Sequence, residues 1–148
     1  MLPSNLSKSA EESPPSVTQS NSINMPTTVN KKVLAVLDDL FFTVKINESA
    51  KRAGLPVEFV KSEQDVLEKA KSLPALIILD LNYAGVDPLS LVQRLKSEPE
   101  TRGISVLGYV SHVQGELKQK AHEAGCNMVL ARSAFSQNLP QILKRHAG

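Results

Sequence analysis

The chain lacks most of the features that announce a function outright. Cys126 is the only cysteine in 148 residues, so no internal disulfide can form, and a cytoplasmic setting is expected. No apolar stretch approaches the ~20 residues a membrane span needs, and the N-terminus has no apolar core of a secretory signal. Neither a spanning nor a secreted protein is expected. The formal net charge of +2 is too weak to argue for nucleic acid or a membrane surface. His112, His122 and His146 share no metal-ligand spacing and read as surface or helix-end residues. No internal repeat is visible. A Gly-rich phosphate loop is missing too: the first apolar run leads into Asp38-Asp39-Leu40-Phe41-Phe42, where two carboxylates would repel a nucleotide's phosphates.

What is present divides the chain in two. Residues 1–30 are dominated by Ser, Pro, Thr and Asn, with Ser13-Pro14-Pro15-Ser16 in the middle. Such a segment cannot bury enough apolar surface to offset its ordering entropy, and a disordered tail is expected. Residues 31–148 have the apolar content of one packed domain, and hydrophobic residues make up 41% of the whole chain. Within them, two apolar runs end in aspartate. Val33-Leu34-Ala35-Val36-Leu37 meets Asp38-Asp39, and Ala75-Leu76-Ile77-Ile78-Leu79 meets Asp80. Short, unalternating runs of this kind are expected of parallel strands buried on both faces. Carboxylates at two such exits would meet at the C-terminal edge of one sheet, where open α/β folds place their sites. Each Asp could merely cap the helix that follows, but two matching strand ends favour a shared site. Three converging acids repel one another unless a cation lies between them, which points to a divalent metal, Mg²⁺.

The rest of the chain alternates strand and helix. Phe42, Val44, Ile46, Ala50 and Ala53 suit a helix stopped by Gly54; a short strand over 56–60 follows. Ser62 precedes a helix carrying Val66, Leu67 and Ala70, broken near Leu73-Pro74. Asp87-Pro88 opens a third helix with Leu89, Leu91, Val92 and Leu95 as its stripe. Strands are expected over 104–110 and 128–130, with a helix between them over 115–124 and a last helix over 133–146. Pro140 is expected in the first turn of that last helix, capped by Ser136 or Asn138, because a deeper proline breaks helices. Five strands and five helices joined by crossovers give an α/β fold, a doubly wound five-stranded parallel sheet.

Residues 31–146 resemble a response-regulator receiver domain, the bacterial CheY-like module. The resemblance rests on Leu37-Asp38-Asp39 after the first strand, Leu79-Asp80 after the third, and Ala121-His122-Glu123-Ala124-Gly125-Cys126 before the fifth. It implies that Asp80 accepts a phosphoryl group, and that Asp38, Asp39, Asp80 and the backbone carbonyl of Asn82 hold Mg²⁺. It also implies a cation after the fifth strand, a hydroxyl ending the fourth, and an aromatic residue on the fifth that moves with that hydroxyl. Here the lysine position is Arg132, which keeps the charge in a planar fork, and Ser133 stands where a proline commonly follows. The hydroxyl position is Val110, with Ser111 next to it as a substitute only if a bulge turns it inward, and the aromatic position is Val129. Arg132 is expected beside Asp80 as a standing counter-ion.

The resemblance implies a module of a two-component phosphorelay, not an enzyme. A histidine kinase or phosphotransfer protein would phosphorylate Asp80, and output would be a protein contact, since no output domain follows. The retained acids favour this reading. Val110, Val129 and Arg132 favour an alternative, a pseudo-receiver that works through its surface without phosphate. A third reading, a small flavodoxin-like enzyme or nucleotide binder, meets the missing Gly-rich loop. Partner and oligomeric state are not encoded legibly. Cys126 reads as a small buried residue, and of Leu40, Phe41 and Phe42 one is expected to be exposed, since three large neighbours cannot all face inward on a helix.

Overall fold

The computed structural model describes residues 31–111 and 115–147. The expected tail over 1–30 and the expectation for His112 therefore lie outside the described residues. Five parallel strands alternate with five helices: β1 (Val33–Val36), α1 (Leu40–Ala53), β2 (Val57–Val60), α2 (Glu63–Ala70), β3 (Leu76–Asp80), α3 (Pro88–Ser97), β4 (Val106–Val110), α4 (Gly115–Ala124), β5 (Met128–Ala131) and α5 (Arg132–Ala147). The sheet order is β2-β1-β3-β4-β5. Winding proceeds outward in one direction from β1 and in the other from β3, so the connections that leave these two paired strands diverge and a crevice lies beyond their C-terminal ends.

Side-chain alternation along the strands builds two apolar layers. Leu34, Val36, Ile77, Leu79, Val106 and Val110 pack with Val66, Leu91, Val92, Leu95 and Ala121 of α2, α3 and α4. Val33, Ala35, Leu76, Ile78, Leu107 and Tyr109 pack on the other face with Phe42, Ile46, Phe135, Leu139 and Ile142 of α1 and α5. Both faces of the central strands are thus covered, which is why their sequences are continuously apolar.

The helix starts follow from local chemistry. Asp39, Ser62 and Asp87 are the N-caps of α1, α2 and α3, each accepting a hydrogen bond from a backbone N–H three residues on, and Pro88 sits in the first turn of α3. Gly54 ends α1 in the left-handed conformation, φ 75°, with its N–H donating to the carbonyls of Ala50 and Lys51. No helix among the described residues is long and apolar enough to cross a membrane.

Four local expectations are corrected. Pro140 is not in a first turn: α5 runs unbroken from Arg132 with Pro140 in its interior. The helix tolerates this because Pro140 is exposed while Phe135, Leu139, Ile142 and Leu143 anchor the other side in the core. Asn138 does not cap; its Nδ2 donates to the Ala134 carbonyl at 2.8 Å. On α1, Val44 faces solvent, and two of the three large residues at its start, Leu40 and Phe41, are exposed instead of one. Cys126 is buried as expected, and burial raises its pKa to about 11.

Candidate functional site

The crevice between β1 and β3 gathers Asp38, Asp39, Asp80 and Asn82, together with Tyr83, Ala84 and Gly85, around an open cleft of about 670 Å³. Each acid has a different environment. Asp38 points outward and forms an exposed ion pair with Lys61 at 2.8 Å. Asp39 is held from both sides: one oxygen accepts the Phe42 N–H at 3.3 Å, and the other accepts a short charge-assisted hydrogen bond from Nη1 of Arg132. That bond to Arg132 is the main reason its pKa lies below the ordinary carboxylate value. Among the described residues, Asp80 is the acid of the three without a cationic partner in contact. It is half-buried, and burial pushes its pKa up, with the Asp39 charge adding to the effect. Opposing this, one Asp80 oxygen accepts the backbone N–H of Asn82 at 2.8 Å.

Arg132 makes its direct ion pair with Asp39 and acts on Asp80 through its charge alone. Its guanidinium pairs with Asp39 and lies over the ring of Phe42 at 4.5 Å and near that of Phe41 at 5.6 Å. A planar cation stacks well on aromatic faces, and α1 presents two of them at the point where α5 begins. Its charge still lowers the Asp80 pKa, but less than the Asn82 hydrogen bond does. Ser111 lines a neighbouring recess of about 470 Å³ with Phe41, Phe42, Ala131, Arg132, Ser133 and Ser136. Val110 and Val129 are buried in the α2–α4 layer. The expected residues thus fall into two adjoining recesses, joined by the Asp39–Arg132 pair.

Two residues carry more of the site than the sequence suggested. Asn82, expected to offer only its carbonyl, accepts the Ser111 N–H on its Oδ1 at 2.8 Å while its own N–H holds Asp80, tying the exit of β3 to that of β4. Tyr109 lies in β4 directly opposite Asp80 in the β3–β4 ladder. Its ring stacks on Phe135 at 4.7 Å and touches Phe42 at 4.9 Å. Its hydroxyl is buried without a hydrogen bond of normal geometry, although it lies close enough to the Asp80 carboxylate for a weak hydrogen-bonding interaction that acts on both groups. Burial, then the charges of Asp80 and Asp39, raise its pKa. The available signal was a tyrosine inside an apolar strand, since a buried phenol needs a partner.

The cleft's oxygen donors suit a hard divalent cation in kind. Among the described residues, however, no three His, Cys, Asp or Glu side chains are grouped to hold a metal. The reason is visible in the ion pairs, since Asp38 is turned to Lys61 and Asp39 to Arg132.

Comparison of the sequence with protein-family models gives no match, and a search of curated proteins finds no relative. Solved structures do match. The chain is similar to a protein described as a response regulator from Chloroflexus aurantiacus (26% identity, TM-score 0.70, covering 79% of this chain and 97% of that one). It is similar to the chemotaxis response regulator CheY4 of Vibrio cholerae (23%, 0.66, 78% and 97%). A third is the receiver domain of the sensor histidine kinase PA1611 from Pseudomonas aeruginosa (20%, 0.67, 81% and 99%), whose structure has a magnesium ion in its active-site cleft.

Proposed function

We propose, from a fold shared with response-regulator receiver domains, that this chain is a signalling module that accepts a phosphoryl group on Asp80. The observation that carries the reading is the state of Asp80. Among the described residues it is the acid in the cleft with no cation in contact, with one oxygen fixed by the Asn82 N–H and the residue lining an open cleft. In the transfer, an Asp80 oxygen attacks phosphorus. The bond from phosphorus to the donor's nitrogen or oxygen breaks, and the leaving group departs with that electron pair. Asp38, Asp80 and the Asn82 carbonyl are the groups that would hold Mg²⁺, with Asp39 kept by Arg132. The Asp38–Lys61 pair lies at the surface, where ion pairs contribute little, so releasing it costs little. The metal would neutralise charge developing on the transferred oxygens.

The donor class is a histidine kinase or phosphotransfer protein, met in the cytoplasm, and the output is a contact with another protein. A second reading, a pseudo-receiver, is favoured by one specific observation: Val110 and Val129, at the positions that carry the switch elsewhere, are packed in the core. Incubation with acetyl phosphate and Mg²⁺, followed by intact mass, separates the two. One phosphoryl increment, lost in Asp80→Asn, supports the acceptor; no increment supports the pseudo-receiver.

A further inference from the structure

We infer that Tyr109 supplies the hydroxyl missing at Val110, donating a hydrogen bond from Oη to the group carried on Asp80. The inference rests on the proposal that Asp80 is the acceptor. Its geometry comes from the sheet. Leu76 and Ile78 of β3 and Leu107 and Tyr109 of β4 belong to one apolar layer, so Asp80, two residues past Ile78, projects on the same side as Tyr109. Asp80 and Tyr109 are also paired in register. Val110 projects into the opposite layer. The residue on this strand that shares a face with Asp80 is therefore the tyrosine.

The ring cannot turn its hydroxyl elsewhere. Phe135 lies nearly parallel to it, 9° between planes, and Phe42 closes another side. A ring flip leaves Oη where it was, because the oxygen lies on the flip axis. Tyr109 is fully buried, and its Oη is the one buried side-chain polar atom among the described residues left without a hydrogen-bond partner. An orphaned donor of this kind is costly in the state that holds it, and a ligand that brings it an acceptor relieves that cost. A phosphoryl group on Asp80 brings additional acceptor oxygens to the side of the carboxylate that the tyrosine faces. The phenol, protonated at neutral pH like any tyrosine, is then a donor fixed in advance by its packing.

Tyr109→Phe removes only the oxygen and keeps the stack. Beryllofluoride, a stable stand-in for the phosphoryl group, is titrated with Mg²⁺ into the wild type, Tyr109→Phe and Asp80→Asn, and followed by NMR. The wild type should bind, Asp80→Asn should not, and Tyr109→Phe should bind on the order of tenfold more weakly, the loss of one hydrogen bond to a charged group. The Tyr109 Cζ resonance of the wild type should shift on binding. Without ligand, Tyr109→Phe should melt at or above the wild-type temperature. Equal affinity in wild type and Tyr109→Phe overturns the role of Tyr109 and leaves Asp80 standing as acceptor. A lower melting temperature for ligand-free Tyr109→Phe also overturns it, by showing a hydroxyl already bonded at rest. A wild type that takes up no beryllofluoride overturns the acceptor reading itself, and the Tyr109 inference with it.

Discussion

Replacing Asp80 by asparagine should make the ligand-free protein more stable, although it removes the residue at the centre of the site. The carboxylate is half-buried and faces Asp39, and its pKa is raised, by burial first. A raised carboxyl pKa means that the folded state disfavours the charged form more than the unfolded chain does. The charge therefore costs stability at neutral pH. That cost fades as pH falls through the raised folded pKa, and it is gone below the unfolded value of about 3.9. Asparagine keeps the oxygen that accepts the Asn82 N–H and discards the charge. For a half-exposed group the gain should be on the order of 1 kcal/mol, discounted for solvent screening. In a domain of this size that corresponds to roughly 3–6 °C in melting temperature. Thermal melts of wild type and Asp80→Asn across pH 3.5 to 7.5 test it: the gap should be widest near neutrality and close towards the acid end. Mg²⁺ at about ten times its Kd should stabilise the wild type by about 1.4 kcal/mol, by mass action, and leave Asp80→Asn nearly unmoved. An Asp80→Asn variant less stable than wild type at pH 7, or a gap independent of pH, would refute the reasoning.

Arg132→Ala should destabilise by about 1–2 kcal/mol in denaturant melts, combining a partly exposed ion pair with the lost stack on Phe42. Because the pair lowers the Asp39 pKa, its share of that loss is present at neutral pH and should disappear as pH falls through that lowered value. Pro140→Ala should stabilise by about 1–3 kcal/mol, since it restores an N–H inside α5 at an exposed position; an unchanged melting temperature would mean that the helix has already adapted. Beryllofluoride should shift amide resonances around Asp38, Asp80 and Arg132 and leave most of residues 115–147 in place. Val110 and Val129 offer no hydroxyl or ring to relay a change, so concerted shifts across α4, β5 and α5 would show a different relay.

The fold was legible because its signals are local and agree with one another. The apolar runs before Asp38 and Asp80 can be covered only where helices pack on both faces of a sheet, and Asp39, Ser62, Asp87 and Gly54 mark helix ends by chemistry that needs no tertiary context. Pro140 was misplaced for the converse reason. Helix propensity says a proline breaks α5, but the packing of Phe135, Leu139, Ile142 and Leu143 outweighs one missing hydrogen bond.

The site was legible in its residues and not in its pairings. Strand ends brought Asp38, Asp39 and Asp80 to one crevice, but which acid keeps its charge free depends on cations that arrive from elsewhere. Lys61 comes from beyond β2 and Arg132 from the start of α5. The family resemblance placed Arg132 near Asp80, and its charge does act there, but its ion pair is with Asp39. What decides the pairing is the N-cap: Asp39 must face the first turn of α1 to cap it, and the same turn presents Phe41 and Phe42 to the guanidinium. Cap and aromatic stack therefore hold Arg132 on Asp39. The same register logic that excludes Val110 puts Tyr109 on the Asp80 face, one residue from the position where a count along the strand looks for a hydroxyl. The strand thus carries Val110 on one face, where the resemblance looks for a hydroxyl, and the phenol of Tyr109 on the face it shares with Asp80.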